Sequence, residues 1–203
     1  MALNVACWAT MAAQPQPLSD DVLAGIHFEQ KLGNQVSLDL AFRDETGRKV
    51  LLRNYAAKKP ILLNLGYYEC PMMCGLVLNG MVESMQDLRW TIGNEFEVVH
   101  ISIDPRETPA LAAGKKRSCL KRYGRDRAND GWHFLTGQKD AIETVSREIG
   151  FQYAYDPVLK QYAHPSGFVV LTPDGRISRY FLGMTYSARD LQEAISRAST
   201  TSC

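Results

Sequence analysis

Short uninterrupted apolar runs alternate along this chain with longer segments in which apolar residues recur every three or four positions. "PILLNLGYY", from position 60, and "FEVVHISID", from position 96, are the runs expected of strands covered on both faces. Between them "GLVLNGMVESMQDLRW", residues 75–90, puts Leu76, Val77, Leu78, Met81, Val82, Met85 and Leu88 near a 3.6-residue period, which predicts a helix starting at or just before Cys74. "TPALAAGKKRSCLKRYG" predicts a second helix: the Thr108 side chain can satisfy a free amide as N-cap, and Pro109 pre-sets the first helical φ. "GWHFLTG" reads as a strand, and "KDAIETVSREIG" as a helix closed by Gly150.

Two stretches alternate with a period of two instead. "QVSLDLAFRDETGRKVLL" predicts a hairpin over about 36–52, and "FVVLTPDGRISRYFLG" another, turned at its Pro-Asp-Gly. "SARDLQEAISRAS" closes the pattern as an amphipathic helix with Ser187 as its cap. This order predicts an α/β fold, thioredoxin-like, with a mixed central sheet flanked by helices and an N-terminal β-hairpin. The expected division is an arm over 1–34, one domain over 35–198 and a short tail over 199–203. No internal repeat, low-complexity tract or Gly-rich phosphate loop interrupts it.

Composition narrows the function by exclusion. With 203 residues, 45% of them hydrophobic, the chain can bury a sizeable core. Its 23 basic and 22 acidic residues leave a net charge of +1, which gives no reason to expect nucleic acid or an anionic membrane surface as the main partner. No segment supplies the roughly 20 apolar residues of a membrane span. The arm "MALNVACWATMAAQPQP" is apolar and alanine-rich, then polar, like the end of a secretory signal without its charged start; it favours an exported protein, while "LNVAC" suits lipidation at Cys7 poorly. Function must come from a site.

The five cysteines do not make a disulfide scaffold; only Cys70 and Cys74, in "ECPMMCG", form a local pair, and Cys7, Cys119 and Cys203 read as isolated thiols. The pair falls between a strand end and a helix start, where free amides and the helix dipole favour thiolates. If that turn is helical, four residues advance about 400°, and both sulfurs return to one face. Such a pair can exchange disulfides, or it can clasp Cu(I) or zinc if one more ligand completes the site. Of the four histidines, His27, His100 and His133 read as ordinary surface or core residues. His164, in "QYAHPSGFVVL", sits in a loop before a buried strand and is the candidate third ligand, with a turn residue as the plain alternative. Asp104 follows the second buried strand and reads as a strand-end cap, with a place beside the site as the alternative. Met72 and Met73 read as adaptable packing or docking surface, and Tyr67 and Tyr68 as packing or cleft lining.

Taken together, "GYYECPMMC", "SIDPRETP" and "HPSGFVVLTPDGRISRYFLG", with His164 eleven residues before Gly175, resemble the Sco/SenC family of thioredoxin-fold copper-binding proteins over about 35–198. The resemblance implies copper, as Cu(I) or Cu(II), held by Cys70, Cys74 and His164. It implies a metallochaperone acting as a monomer and delivering copper to the dinuclear centre of cytochrome c oxidase subunit II or a similar acceptor. It further implies a periplasmic or extracytoplasmic place at the membrane surface. The same cysteines could reduce the acceptor's own, with a thioredoxin-like reductant as a further partner. The alternative, from a different class, is a thiol-disulfide oxidoreductase or peroxiredoxin-like enzyme using Cys70 and Cys74. Two features depart from the family pattern: no N-terminal anchor is visible, and Pro165 and Gly167 follow His164 where small non-proline residues are more usual.

Overall fold

The structure, a computed structural model, describes residues 17–56, 58–70, 73–125 and 127–200, with backbone alone at positions 73 and 74. In chain order the elements are α1 (Asp20–Ala24), β1 (Ala41–Arg43), β2 (Lys49–Leu51), α2 (Arg53–Ala56), β3 (Ile61–Gly66), α3 (Met73–Gln86), β4 (Glu97–Ser102) and α4 (Pro109–Tyr123). There follow α5 (Ala128–Gly131), β5 (Trp132–Gly137), α6 (Lys139–Glu148), β6 (Ala154–Asp156), β7 (Gln161–Ala163), β8 (Gly167–Leu171), β9 (Ile177–Leu182) and α7 (Ala188–Thr200).

Seven strands form one mixed sheet in the order β2-β1-β5-β4-β3-β8-β9, and β6 and β7 form a small second sheet. Strands β3, β4 and β5 are parallel; β8 runs antiparallel to β3, and the hairpin β1–β2 joins antiparallel to β5. This is the thioredoxin-like α/β arrangement. Every residue of β3 and β8 is buried, as their unbroken apolar runs predict for strands with helices on both faces.

Because side chains alternate along a strand, one sequence feeds two cores. Leu62, Val98, Phe134 and Val170 face α3, α4 and α7, whereas Leu63, Val99, Leu135 and Val169 face α6 and α2. Burying one such Leu or Val stabilises the fold by about 1.5–3 kcal/mol. Helix α3 packs Val77, Leu78, Met81, Val82 and Met85 inward, ends at Gln86 instead of running to position 90, and leaves Leu76 half exposed. Its Gly80 lies where a Cβ would come within 1.9 Å of the Met184 carbonyl oxygen, so the helix sits directly on the loop after β9.

The helix ends follow the caps in the sequence. Thr108 Oγ1 accepts from the Leu111 amide, Gly124 ends α4 in the left-handed region, and Ser187 Oγ accepts from the Asp190 amide at the start of α7. The β1–β2 hairpin is shorter than its alternating pattern, because the chain on either side turns instead of pairing. Not visible in the pattern are α1, α2, α5 and the β6–β7 hairpin, all of three to five residues and too short to show a period. All peptide bonds among the described residues are trans.

Candidate metal site at the end of the central strands

Strand β3 lies between a parallel neighbour, β4, and an antiparallel one, β8. The C-terminal end of β3 therefore lies beside the N-terminal end of β8, and α/β sheets open their clefts where the strand direction changes in this way. The chain leaving β3 passes through Tyr67, Tyr68 and Glu69 to Cys70; the chain entering β8 passes through His164. Strand order thus joins residues 94 positions apart (164 − 70).

Cys70 and His164 line one cleft of about 310 Å³, together with Tyr67, Tyr162, Leu23 and Ile26. Leu23 and Ile26 belong to the segment that the sequence pattern assigns to the arm; the short helix α1, capped by Ser19, lays them over the cleft. Cys74 is the second residue of α3, at the helix start where it was expected; its side chain, like those of Met72 and Met73, lies outside the described atoms. So do Cys7 and Cys203. Cys119 is a buried free thiol whose pKa burial pushes up to about 11, as suits an inert core residue.

The imidazole of His164 is held from three directions. Its Nδ1 lies 2.9 Å from the carbonyl oxygen of Pro165, which can only accept, so Nδ1 donates and the tautomer that leaves Nε2 to bind a metal is the one selected in the neutral ring. Metal-binding histidines show this same device, the other nitrogen donating to a backbone carbonyl. The Phe151 ring stacks on the imidazole at 5.8 Å and 26°, and Tyr67 meets it edge-on at 5.9 Å. Gly167 is the next constraint: with φ of +141° and a would-be Cβ 2.2 Å from the Phe181 carbonyl oxygen, it admits no side chain. The departure at Gly167 thus has a local reason.

A carboxylate not singled out by the sequence pattern holds the cysteine loop. Glu107, buried in the turn before α4, accepts the backbone N–H groups of Tyr68 and Glu69 at 2.8 Å each and the Ser102 hydroxyl at 2.5 Å. Burial raises its pKa above the usual carboxylate value, against the lowering effect of those three bonds. Asp104 does something different. Its oxygens take the Arg106 amide and guanidinium at 2.7–3.2 Å, and these bonds, outweighing partial burial, hold its pKa below the ordinary value. It is a strand-end cap.

The remaining histidines are structural. His100, fully buried on β4, pairs through Nδ1 with Asn64 Oδ1, and Asn64 Nδ2 donates to the Gly167 carbonyl at 2.8 Å. One polar line thus ties β4, β3 and β8 together beneath the site. His133 stacks on Tyr55 at 3.9 Å and pairs with Glu97, and His27 is exposed with Nδ1 on the Gly25 carbonyl.

A buried strand ending in a cysteine loop, a helix with the second cysteine in its first turn, and a histidine entering the same cleft correspond to a known family, whose model, SCO1/SenC, matches residues 29–200. The chain belongs to the SCO1/SenC family. Solved structures agree on the fold. A proposed electron transfer protein of Aquifex aeolicus VF5 is 26% identical and superposes with a TM-score of 0.72 over 83% of this chain and 94% of its own. ScoI of Bradyrhizobium japonicum with copper bound is 20% identical, with a TM-score of 0.60 over 83% of this chain and 99% of its own. BsSco, a member of the Sco family of cytochrome c oxidase assembly proteins in which a disulfide switch is identified, is 21% identical, with a TM-score of 0.62 over 85% of this chain and 98% of its own. No curated protein sequence matches the chain. Among the described residues, no helix of this SCO1/SenC protein is long and apolar enough to cross a membrane.

The side chains present fit copper. Among the described side chains no three His, Cys, Asp or Glu groups cluster; the side chain of Cys74 is not among them. Thiolate and imidazole are the soft and borderline donors that copper prefers, and among the described residues no carboxylate lines the cleft to favour a hard cation.

Proposed function

We propose that this protein binds one copper ion through Cys70, Cys74 and His164 and delivers it to the dinuclear copper centre of cytochrome c oxidase subunit II. Two thiolates suit Cu(I), and the added imidazole accommodates Cu(II). Transfer proceeds by stepwise ligand exchange with an acceptor that also offers soft ligands. The reading is supported by membership of the SCO1/SenC family and by copper held in a homologous ScoI. The observation that carries it is the common cleft of Cys70 and His164, whose Nδ1–H is committed to a backbone carbonyl. An extracytoplasmic place accords with the signal-like start of the sequence.

Copper titration of the purified chain tests it. One equivalent should bind, and Cys70→Ala, Cys74→Ala and His164→Ala should each abolish tight binding. Retention of full copper affinity in His164→Ala would sink the assignment.

A second reading is thiol-disulfide exchange by Cys70 and Cys74, supported by their spacing across the start of α3 and by the disulfide switch identified in BsSco. In that reaction the two thiols pass two electrons to an acceptor disulfide and close their own S–S bond, releasing two protons to the acceptor's thiols. Persistence of exchange after copper binding is lost would favour it.

A further inference from the structure

A groove of about 690 Å³ runs between α6, the loop after β4 and the β6–β7 hairpin. It is distinct from the copper cleft but shares a wall with it: Tyr162 lines both, and Phe151, which lines the groove, stacks on the His164 ring of the cleft. An occupant of the groove would therefore lie one aromatic ring away from the candidate ligand.

The groove wall has an unusual composition for a surface. Tyr153, Ala154 and Tyr155 line it in succession. Tyr153 and Tyr155 share one face with Tyr162, the cross-strand partner of Tyr155, whereas Ala154 points to the other face, so the groove spans that face and reaches the edge of β6. Strand β6 pairs only with β7 among the described residues, and its other edge has no strand beside it. Unpaired edges of this kind accept an added strand, with main-chain bonds giving affinity and side-chain pockets giving selectivity.

Charge then restricts what can be added. Arg106 is paired with Asp104 and lies over the Tyr155 ring, and Lys139 is paired with Glu143. Arg147, also on the groove, donates from its guanidinium to Thr144 Oγ1 and has no carboxylate within ion-pair distance among the described residues. Among the described residues the groove thus presents aromatic walls, an open strand edge and one cation without a carboxylate partner, Arg147.

We propose that β6 and this groove receive an extended apolar segment of the protein that takes copper from the site, carrying one carboxylate opposite Arg147. The proposal rests on the copper-transfer reading. It adds where the acceptor docks, on the His164 side of the cleft, and the chemistry by which it is selected.

Hydrogen–deuterium exchange of the full metal-free chain, alone and with the soluble copper domain of cytochrome c oxidase subunit II, tests the docking without copper. Amides 153–156 should slow about tenfold or more when that domain is added. Arg147→Glu should remove this protection and lower the second-order rate of copper transfer about tenfold, while still loading one equivalent of copper. Arg117→Glu, an exposed charge reversal on α4, should change neither. Protection elsewhere with 153–156 unchanged, or protection of 153–156 that grows with the concentration of the chain alone, would overturn the proposal, the latter by assigning the edge to a second copy. Failure of the parent chain to load copper would overturn the copper reading separately, because the exchange experiment contains no metal.

Discussion

The carboxylate of Glu107 holds the backbone amide of Tyr68 at 2.8 Å, fastening the turn before α4 to the loop that ends in Cys70. Glu107→Gln leaves one acceptor oxygen where two served the Tyr68 and Glu69 amides, so one buried N–H loses its partner, at a cost of about 1–3 kcal/mol. Urea unfolding should show that loss. Copper affinity should fall as well, since Cys70 is no longer fixed relative to His164; an unchanged affinity would mean the loop keeps its shape without Glu107.

His100 predicts acid sensitivity. Burial above all, with the charges of Lys115 and His164, pushes its pKa down to about 3 from an ordinary 6.5. The unfolded chain therefore takes up a proton below pH 6.5 that the folded chain refuses until pH 3, and stability falls as pH falls through that window. The slope contributed approaches about 1.4 kcal/mol per pH unit. Unfolding midpoints at pH 6.5 and 4.5 should converge in His100→Gln relative to the parent, and equal pH dependence in the two proteins would contradict the assignment.

Phe151 orients His164 through ring stacking, which removal of the ring should expose. Phe151→Leu keeps an apolar side chain at a site only 2% exposed but gives up the ring's volume, so stability should fall by about 1–3 kcal/mol. The electron paramagnetic resonance spectrum of the Cu(II) form should broaden as the imidazole loses its fixed plane. A spectrum identical to the parent's would show that the Pro165 carbonyl alone suffices.

Gly167 has no room for a methyl group. Gly167→Ala sets a Cβ against the Phe181 carbonyl at 2.2 Å and also strains a φ of +141°. The β8–β9 register must open, and thermal stability should fall by about 1–3 kcal/mol. Because His164 enters the cleft three residues earlier, copper affinity should fall in the same variant; the two losses are expected together and can be followed by calorimetry and metal titration.

Much of this protein is legible in its sequence, and for a local reason. Periods of two and 3.6 residues, and capping residues such as Thr108 and Ser187, act within a few positions, so they mark β3, β4, α3, α4 and α7 with no knowledge of the fold. The pairing of Cys70 with Cys74 at a helix start is equally local. His164 was visible as a loop histidine before a buried strand, but its meeting with Cys70 depends on β8 being the antiparallel neighbour of β3.

What the tertiary structure decided are contacts between distant positions. Glu107 reaches back 39 and 38 residues to the cysteine loop, whereas Asp104, three positions earlier in the same motif, is absorbed by Arg106. Asn64 bridges 103 residues to Gly167, and Leu23 and Ile26 leave the arm to wall the cleft. The β6–β7 strands are three residues long and show no period, yet they set Tyr162 between the cleft and the groove. Short strands and single buried polar bonds take their stability from what packs against them, and that is specified by strand order across the sheet, not by neighbours along the chain.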